Sequence, residues 1–239
     1  MDRIGYSTGA LARGDVTNGV ELVRDLGLTV IELSALRVRE LGPLTAYIER
    51  TDLSDFNYVS IHAPTDFNEL AEEGVVATLE RLAHAKKWPI VMHPDAVFDF
   101  GLWRRLGSWL CFENMDKRKG KARTADELAG ILAMTPDAQV CFDIAHARQV
   151  DSSMTEAYRL LRRFSTRIHQ IHFSEVNSQS RHSPVSIAGL HAYEQVASEL
   201  PSDVPLIIES PASLQRAALE VETVEEFFKH ATSSRGRMY

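Results

Sequence analysis

The 239-residue chain has few of the features that mark membrane, disulfide-bonded or nucleic-acid-binding proteins. It contains only two cysteines, Cys111 and Cys141, and both lie inside apolar runs, which predicts reduced, buried thiols rather than a disulfide. No apolar run approaches transmembrane length, and the segment after Met1 lacks a signal-peptide pattern. The net charge of −7 gives no bulk attraction to nucleic acid or membrane. We therefore expect a cytoplasmic protein with no membrane partner.

The chain also lacks low-complexity stretches and linkers that would divide it into domains. Its hydrophobic content of 44% is enough for one full core. The length allows about 30 residues for each of eight strand-and-helix units, close to the lower limit for a barrel. We expect residues 1–232 to form one domain and residues 233–239 to form a flexible C-terminal tail. The oligomeric state is left open.

Six short apolar runs end in residues that can bind metal. Their β-branched and aromatic residues predict buried strands. The end residues follow one another at intervals of about 20–37 residues, which suits one βα unit per interval. Two further strands are predicted near residues 4–8 and 29–33. The fold class is therefore α/β, a single (β/α)8 TIM barrel. The six run ends are His62, His93, Glu113, Asp143, His172 and Glu209.

Parallel strands in a closed barrel bring their C-terminal ends to one face, so these side chains should meet there. A lone histidine at such a position is more often a core residue than a ligand, but the set is large. Three carboxylates buried together need cations to neutralise them. Mixed imidazole and carboxylate ligands suit Zn²⁺, Mn²⁺ or Fe²⁺, and eight are too many for one ion, so two or three divalent ions are expected. The eight candidates are His62, His93, Glu113, Asp143, His146, His172, His182 and Glu209.

The order and spacing of seven short segments resemble the xylose isomerase-like superfamily of TIM barrels, and within it endonuclease IV. The resemblance implies one metal on His62, His93 and Glu113, with Glu113 bridging to a second. A third would lie on His146 and His182, where the family has an aspartate two residues before the second histidine and this chain has Ser180. The second metal would lie on Glu113, Asp143, His172 and Glu209. The segments are His62-Ala63-Pro64, Met92-His93-Pro94, Phe112-Glu113-Asn114, Asp143-Ile144-Ala145-His146, His172-Phe173-Ser174, Arg181-His182 and Ile208-Glu209.

The resemblance implies two reaction classes. In the main hypothesis, a multinuclear metal centre hydrolyses a phosphoester of a small molecule or of DNA, and His146 and Arg181 assist at the phosphate. In the alternative, one metal supports isomerisation or epimerisation of a sugar or sugar phosphate, while Glu113 and Glu209 move protons. The extra pair His62 and His93 favours hydrolysis, because an isomerase does not need it. A non-catalytic barrel that keeps a metal site is a third class.

Several polar residues are candidates for substrate contacts. A basic loop from Lys117 to Arg123 carries five positive charges in a net-acidic chain, and it would bind a phosphate if it is more than a solvated loop. Glu32 lies near the end of the second strand. It could contact substrate, or it could be a buried carboxylate that makes its hydrogen bonds inside the barrel, and the two are about equally expected. The substrate-binding candidates are Glu32, Asn114, Lys117, Arg118, Lys119 and His182.

Overall fold

The barrel predicted from the strand intervals is present in the computed structural model, which describes residues 3–235 and the side chains of residues 3–230. Eight parallel strands close into a ring in the order β1-β10-β7-β6-β5-β4-β3-β2. Strand β1 pairs with both β2 and β10, which closes the sheet. The barrel strands are β1 (Ile4–Ser7), β2 (Val30–Ser34), β3 (Tyr58–His62), β4 (Ile90–Met92), β5 (Leu110–Glu113), β6 (Gln139–Asp143), β7 (Ile168–Phe173) and β10 (Leu206–Ile208).

Helices surround the barrel and connect its strands. Several begin at a residue whose side-chain oxygen accepts a hydrogen bond from the backbone three residues on, which satisfies an otherwise free N–H; Asn68 and Thr124 are examples. Two 3-10 segments, Pro94–Ala96 and Arg104–Trp109, lie in the β4–β5 connection. The α-helices are α1 (Thr8–Ala12), α2 (Val16–Asp25), α3 (Val38–Arg50), α4 (Glu69–Lys86), α5 (Phe100–Trp103), α6 (Ala125–Met134), α7 (Ile144–Val150), α8 (Thr155–Arg163), α9 (Ile187–Glu194) and α10 (Leu214–Arg235).

The hydrophobic core lies mainly between the barrel and the helices, and a small second cluster contains Val91, Cys111 and Cys141. Both cysteines are free and fully buried, as predicted. Side chains alternate across each strand, so Cys111 and Cys141 lie on the same side as Glu113 and Asp143, two residues further along. The same alternation brings the acids at the strand ends to the barrel mouth.

A two-stranded antiparallel ribbon follows β7 and carries one of the predicted ligands. It consists of β8 (Glu175–Val176) and β9 (His182–Ser183), with Val176 opposite His182. Because the ribbon leaves from the C-terminal end of β7, it brings His182 to the face where the strand ends meet.

Helix α10 runs to Arg235 and so enters the segment 233–239 that was expected to be a flexible tail. The rest of that segment, 236–239, lies outside the described residues. None of the helices in the described part of the chain is both long and apolar enough to cross a membrane.

Candidate metal centre

Glu113 lies at the middle of a cluster of four histidines at the C-terminal face of the barrel, three of them buried and His93 partly exposed. Its Oε2 atom is 3.2 Å from His93 Nε2, 3.6 Å from His62 Nε2 and 3.4 Å from His172 Nδ1. Its Oε1 atom is 3.0 Å from His146 Nδ1. These histidines come from four different βα units, so the barrel assembles the cluster from distant parts of the sequence.

The candidate ligands form three overlapping groups that correspond to the three expected sites. Within each group, one ligand atom from every residue lies within 4.8 Å of all the others. Metal–ligand bonds of about 2.0–2.3 Å could join atoms at such separations. The first group is His62, His93 and Glu113, the second is Glu113, Asp143, His172 and Glu209, and the third is Asp143, His146 and His182. The third group therefore has a carboxylate, although it comes from Asp143 rather than from position 180.

Several atoms at the centre are buried without a hydrogen-bond partner in the described part of the chain. They are both carboxylate oxygens of Glu113, Asp143 Oδ2 and His172 Nδ1. Leaving buried charged or polar atoms without partners is costly, and a cation would satisfy all of them at once. Imidazole and carboxylate donors together suit divalent transition metals. The residues present therefore fit one or more divalent cations.

Backbone carbonyls orient two of the histidines. His62 Nδ1 lies 3.0 Å from the carbonyl oxygen of Ala63, and His146 Nδ1 lies 3.0 Å from that of Asn114. A carbonyl oxygen can only accept, so Nδ1 carries a hydrogen in both rings, and in the neutral form of each ring the lone pair is on Nε2. Both rings thus present Nε2 to a metal, and their orientation is held from behind.

The pKa values of the histidines and glutamates show that the buried carboxylates stabilise positive charge next to them. Burial lowers the pKa of His62, but Glu113, Glu32 and Glu209 together outweigh burial and raise the pKa to about 9. Burial likewise opposes protonation of His146, yet Asp143 and Glu113 raise its pKa to about 10. Burial alone would raise the pKa of Glu209, but neighbouring histidines lower it to about 2. Without metal, protons on the histidines supply the charge that a cation would supply.

The side chain of Asn114, a candidate for substrate contact, is bonded to the backbone of the neighbouring strand. It is fully buried, and its side-chain amide donates to the backbone carbonyl of Asp143 and accepts from the backbone N–H of Asp143, each at 2.8 Å. The amide therefore holds the end of β6 in register with β5. Its role in the site is to position Asp143.

Glu32 also lies away from the open face. It is fully buried, and its Oε2 atom is 3.1 Å from His172 Nε2, on the side of that ring away from Glu113. The structure therefore favours the buried-carboxylate expectation for Glu32 over a direct substrate contact.

The ribbon places the other two candidates at the rim. The side chain of His182 is 26% exposed, with Nε2 3.7 Å from Glu209 Oε2 and Nδ1 2.7 Å from the Ser174 hydroxyl. Arg181 is exposed beside it. Both residues can reach a substrate that approaches from solvent.

Acidic neighbours partly neutralise the basic loop. Lys119 Nζ is 2.8 Å from Asp95 Oδ2, and Arg118 Nε is 3.4 Å from Asp116 Oδ1. Lys117 lines a cavity of about 300 Å³ together with neighbours that include Arg148. Of the three basic candidates, Lys117 is the one whose surroundings best suit a substrate contact.

Ser180 occupies the position at which the resembling family has an aspartate. Its backbone is left-handed, with φ of 52°, and its hydroxyl lies 2.6 Å from Asp116 Oδ1 and 2.8 Å from Gln149 Oε1. These contacts tie the turn of the ribbon to the loop after β5 and to α7. Ser180 thus fixes the ribbon that carries His182.

Two residues of the centre were not assigned to it from the sequence. Cys141 has its sulfur within 4.8 Å of ligand atoms of Glu113 and His172, and burial raises its thiol pKa well above the usual value. Gln170 is fully buried, with its amide nitrogen 2.8 Å from His172 Nε2. Each lies two residues before a predicted ligand on its strand, so side-chain alternation was the signal that could have identified them.

No family model matches the chain, and no curated protein matches it in sequence. Solved structures do match. A D-tagatose 3-epimerase-like protein has 16% identity and a TM-score of 0.70 over 97% of this chain and 99% of its own. A xylose isomerase-like TIM-barrel protein from Mycobacterium smegmatis, in complex with magnesium, has 14% identity and a TM-score of 0.62, covering 96% and 97%. SacUVDE has 16% identity and a TM-score of 0.56, covering 95% and 99%. The chain thus has the fold of the xylose isomerase-like TIM barrels.

Proposed function

We propose that this protein is a divalent-metal-dependent isomerase or epimerase that acts on a sugar or sugar phosphate. The observation that carries the proposal is the group Glu113, Asp143, His172 and Glu209, in which His172 Nδ1 lies 3.4 Å from Glu113 and 3.1 Å from Glu209. Three carboxylates and one imidazole thus converge on one candidate cation position. The likeness to the D-tagatose 3-epimerase-like fold favours this reaction over the hydrolysis that the sequence first suggested.

The reaction needs a proton to leave a carbon next to a carbonyl and to return. A divalent ion bound at this group would polarise the substrate oxygens and make that proton more acidic. Neighbouring histidines hold the pKa of both Glu113 and Glu209 below its usual value, so both are ionised and able to accept a proton. One glutamate would take the proton from carbon and, once protonated, could return it to the neighbouring carbon in an isomerisation. In an epimerisation, the second glutamate would first have to gain a proton from solvent before it delivered one to the opposite face of the carbon. Arg181 and His182 at the rim would hold substrate oxygens.

Phosphoester hydrolysis remains the second candidate, because the geometry also brings together His62, His93 and Glu113. An epimerase that works with one ion has no need of this group. With cations at two or three groups, the centre could hold a phosphate oxygen and a leaving oxygen together. The substrate would be a small phosphorylated molecule or DNA.

Solvent exchange distinguishes the two reactions. We expect the Mn²⁺-loaded protein, incubated in D₂O with a panel of ketopentoses, ketohexoses and their phosphates, to replace hydrogen by deuterium at the carbon next to the carbonyl of at least one sugar. The Glu209→Gln variant should slow this exchange by about 10²–10⁴-fold, since general acid–base groups contribute about that much. The measurement is proton NMR of the recovered sugars.

A parallel assay with bis(4-nitrophenyl) phosphate tests the second candidate, phosphoester hydrolysis. Hydrolysis of this phosphodiester with no deuterium in any sugar of the panel would replace the proposed reaction by the second candidate. The His62→Ala/His93→Ala double variant adds a control. Deuterium exchange depends on the group with Asp143, His172 and Glu209, so the double variant should lose less of its exchange activity than of any phosphodiester hydrolysis.

A further inference from the structure

A chain of polar side chains, buried except for the partly buried Tyr58, crosses the barrel interior beneath the candidate metal centre. The Tyr58 hydroxyl donates to Gln170 Oε1 at 2.8 Å, and Gln170 Nε2 donates to Glu32 Oε2 at 2.7 Å. Glu32 Oε2 then lies 3.1 Å from His172 Nε2. Glu32, Gln170 and His172 are all fully buried. The chain therefore ends on one of the candidate ligands, on the side of its ring away from the centre.

Hydrogen bonds fix the direction of the Gln170 amide. Because Glu32 Oε2 can only accept, the Gln170 nitrogen faces Glu32 and His172, and the Gln170 oxygen accepts from the Tyr58 hydroxyl. The Ser60 hydroxyl also approaches Glu32 Oε2, at 3.3 Å. One oxygen of Glu32 is thus surrounded by hydrogen-bond donors, as a carboxylate requires.

His172 can carry its hydrogen on either nitrogen, and the choice decides whether it can bind metal. With the hydrogen on Nε2, the ring donates to Glu32, and a bare Nδ1 faces Glu113 and Glu209. The Gln170 amide nitrogen, 2.8 Å from Nε2, then donates to Glu32 Oε2 and to Cys141 Sγ rather than to the ring. With the hydrogen on Nδ1, Nε2 could accept a hydrogen bond from Gln170. The Nε2 lone pair would then also face Glu32 Oε2, and the hydrogen on Nδ1 would occupy the position of the cation. A carboxylate cannot donate, so Glu32 disfavours the second arrangement.

We infer that Glu32 is a positioning residue that holds His172 in the form with hydrogen on Nε2 and a metal-binding lone pair on Nδ1. The inference rests on the metal centre of the proposed function, but not on which reaction occurs there. Carboxylates behind ligand histidines typically contribute 10–100-fold to metal affinity. Gln170 and Tyr58 support Glu32 by holding its carboxylate in place.

Metal affinity tests the inference without any assay of turnover. In the Glu32→Gln variant, the new amide can donate to His172 Nε2, so Mn²⁺ should bind roughly 10–100-fold more weakly in a competition titration with a chelator. Ser60→Ala is the matched control, because it removes another partner of the same oxygen without contacting the ligand. We expect Ser60→Ala to bind Mn²⁺ within about twofold of wild type.

A second measurement needs no variant and covers the case in which Glu32→Gln does not fold. Nitrogen-15 NMR of the Zn²⁺-loaded wild-type protein should show a hydrogen on His172 Nε2 and a metal-bound Nδ1. A hydrogen on Nδ1, or unchanged Mn²⁺ affinity in folded Glu32→Gln, would overturn the inference and leave the metal centre standing. If wild type bound neither ion, the metal centre would fail and the inference would fall with it.

Discussion

Replacing Glu113 with glutamine should remove metal from more than one position at once. In the described part of the chain, Glu113 belongs to two of the three groups of candidate ligands and also lies in a group with Cys141 and His172. Both of its oxygens are buried without hydrogen-bond partners there. A glutamine keeps the shape but loses the charge and presents an amide to the histidines. We expect elemental analysis of Glu113→Gln to show little bound divalent metal. Deuterium exchange should fall by about 10²–10⁴-fold, as for loss of a general base.

A second buried glutamate provides the control for Glu113→Gln. Glu72 accepts hydrogen bonds from the backbone of Phe98 and Asp99 and from the Trp103 indole, each at 2.9 Å, outside the ligand groups. Glu72→Gln should therefore lower the free energy of unfolding by roughly 1–3 kcal/mol, because a buried partner is lost. The folded variant should keep its metal. Equal metal loss in both variants would attribute the effect to general destabilisation and contradict the assigned role of Glu113.

Metal binding at pH 8 should release protons. The metal-free pKa values of His62 and His146 are raised to about 9 and about 10, so both rings are largely protonated at this pH. A ligand histidine must be neutral, so loading the centre displaces about one to two protons per chain. Apparent affinity should consequently rise with pH up to the folded-state values and fall as pH decreases. Calorimetric titration in two buffers of different ionisation enthalpy measures the released protons.

The exposed histidine His191 makes a control for the proton count. It lies 3.1 Å from Glu194 on the surface, and its side chain is 81% exposed. His191→Ala should leave proton release unchanged, whereas His146→Ala should reduce it. Metal binding with no proton release at pH 8 would mean that these histidines are not ligands.

The sequence predicted the barrel and the strand-end ligands because both follow from spacing. A βα unit has a characteristic length, and parallel strands in a ring have one C-terminal face. His93 and His172 are far apart in sequence, yet both lie beside Glu113 Oε2, with His93 Nε2 at 3.2 Å and His172 Nδ1 at 3.4 Å. Topology alone was sufficient for this convergence.

Depth along the barrel was harder to predict, and Glu32 shows why. Alternation tells which side of a strand a residue faces, but not its height, which depends on the register between strands. In the sheet, Glu32 pairs with Ser60, whereas Ser34 pairs with His62. Glu32 therefore lies one inward-facing layer below His62, where it meets His172 from behind.

The spacing of residues in the sequence also did not predict the contacts between loops. Asn114 follows Glu113 directly, so it points to the opposite side of the strand end and meets the backbone of Asp143. Asp95 lies beside Lys119 and Asp116 lies beside Arg118, so the charges of the basic loop are partly neutralised, and no sequence pattern indicated these pairs. Such pairings depend on loop conformation, which local patterns do not specify.

The most direct test of the central claim is an anomalous difference map from crystals grown with Mn²⁺. The structure predicts a peak about 2.0–2.3 Å from oxygens of Glu113, Asp143 and Glu209 and from His172 Nδ1, with a second peak between Glu113, His62 and His93 if more than one ion binds. A map without any peak beside Glu113, at Mn²⁺ concentrations that saturate ordinary sites, would contradict the assignment of this cluster as a metal centre.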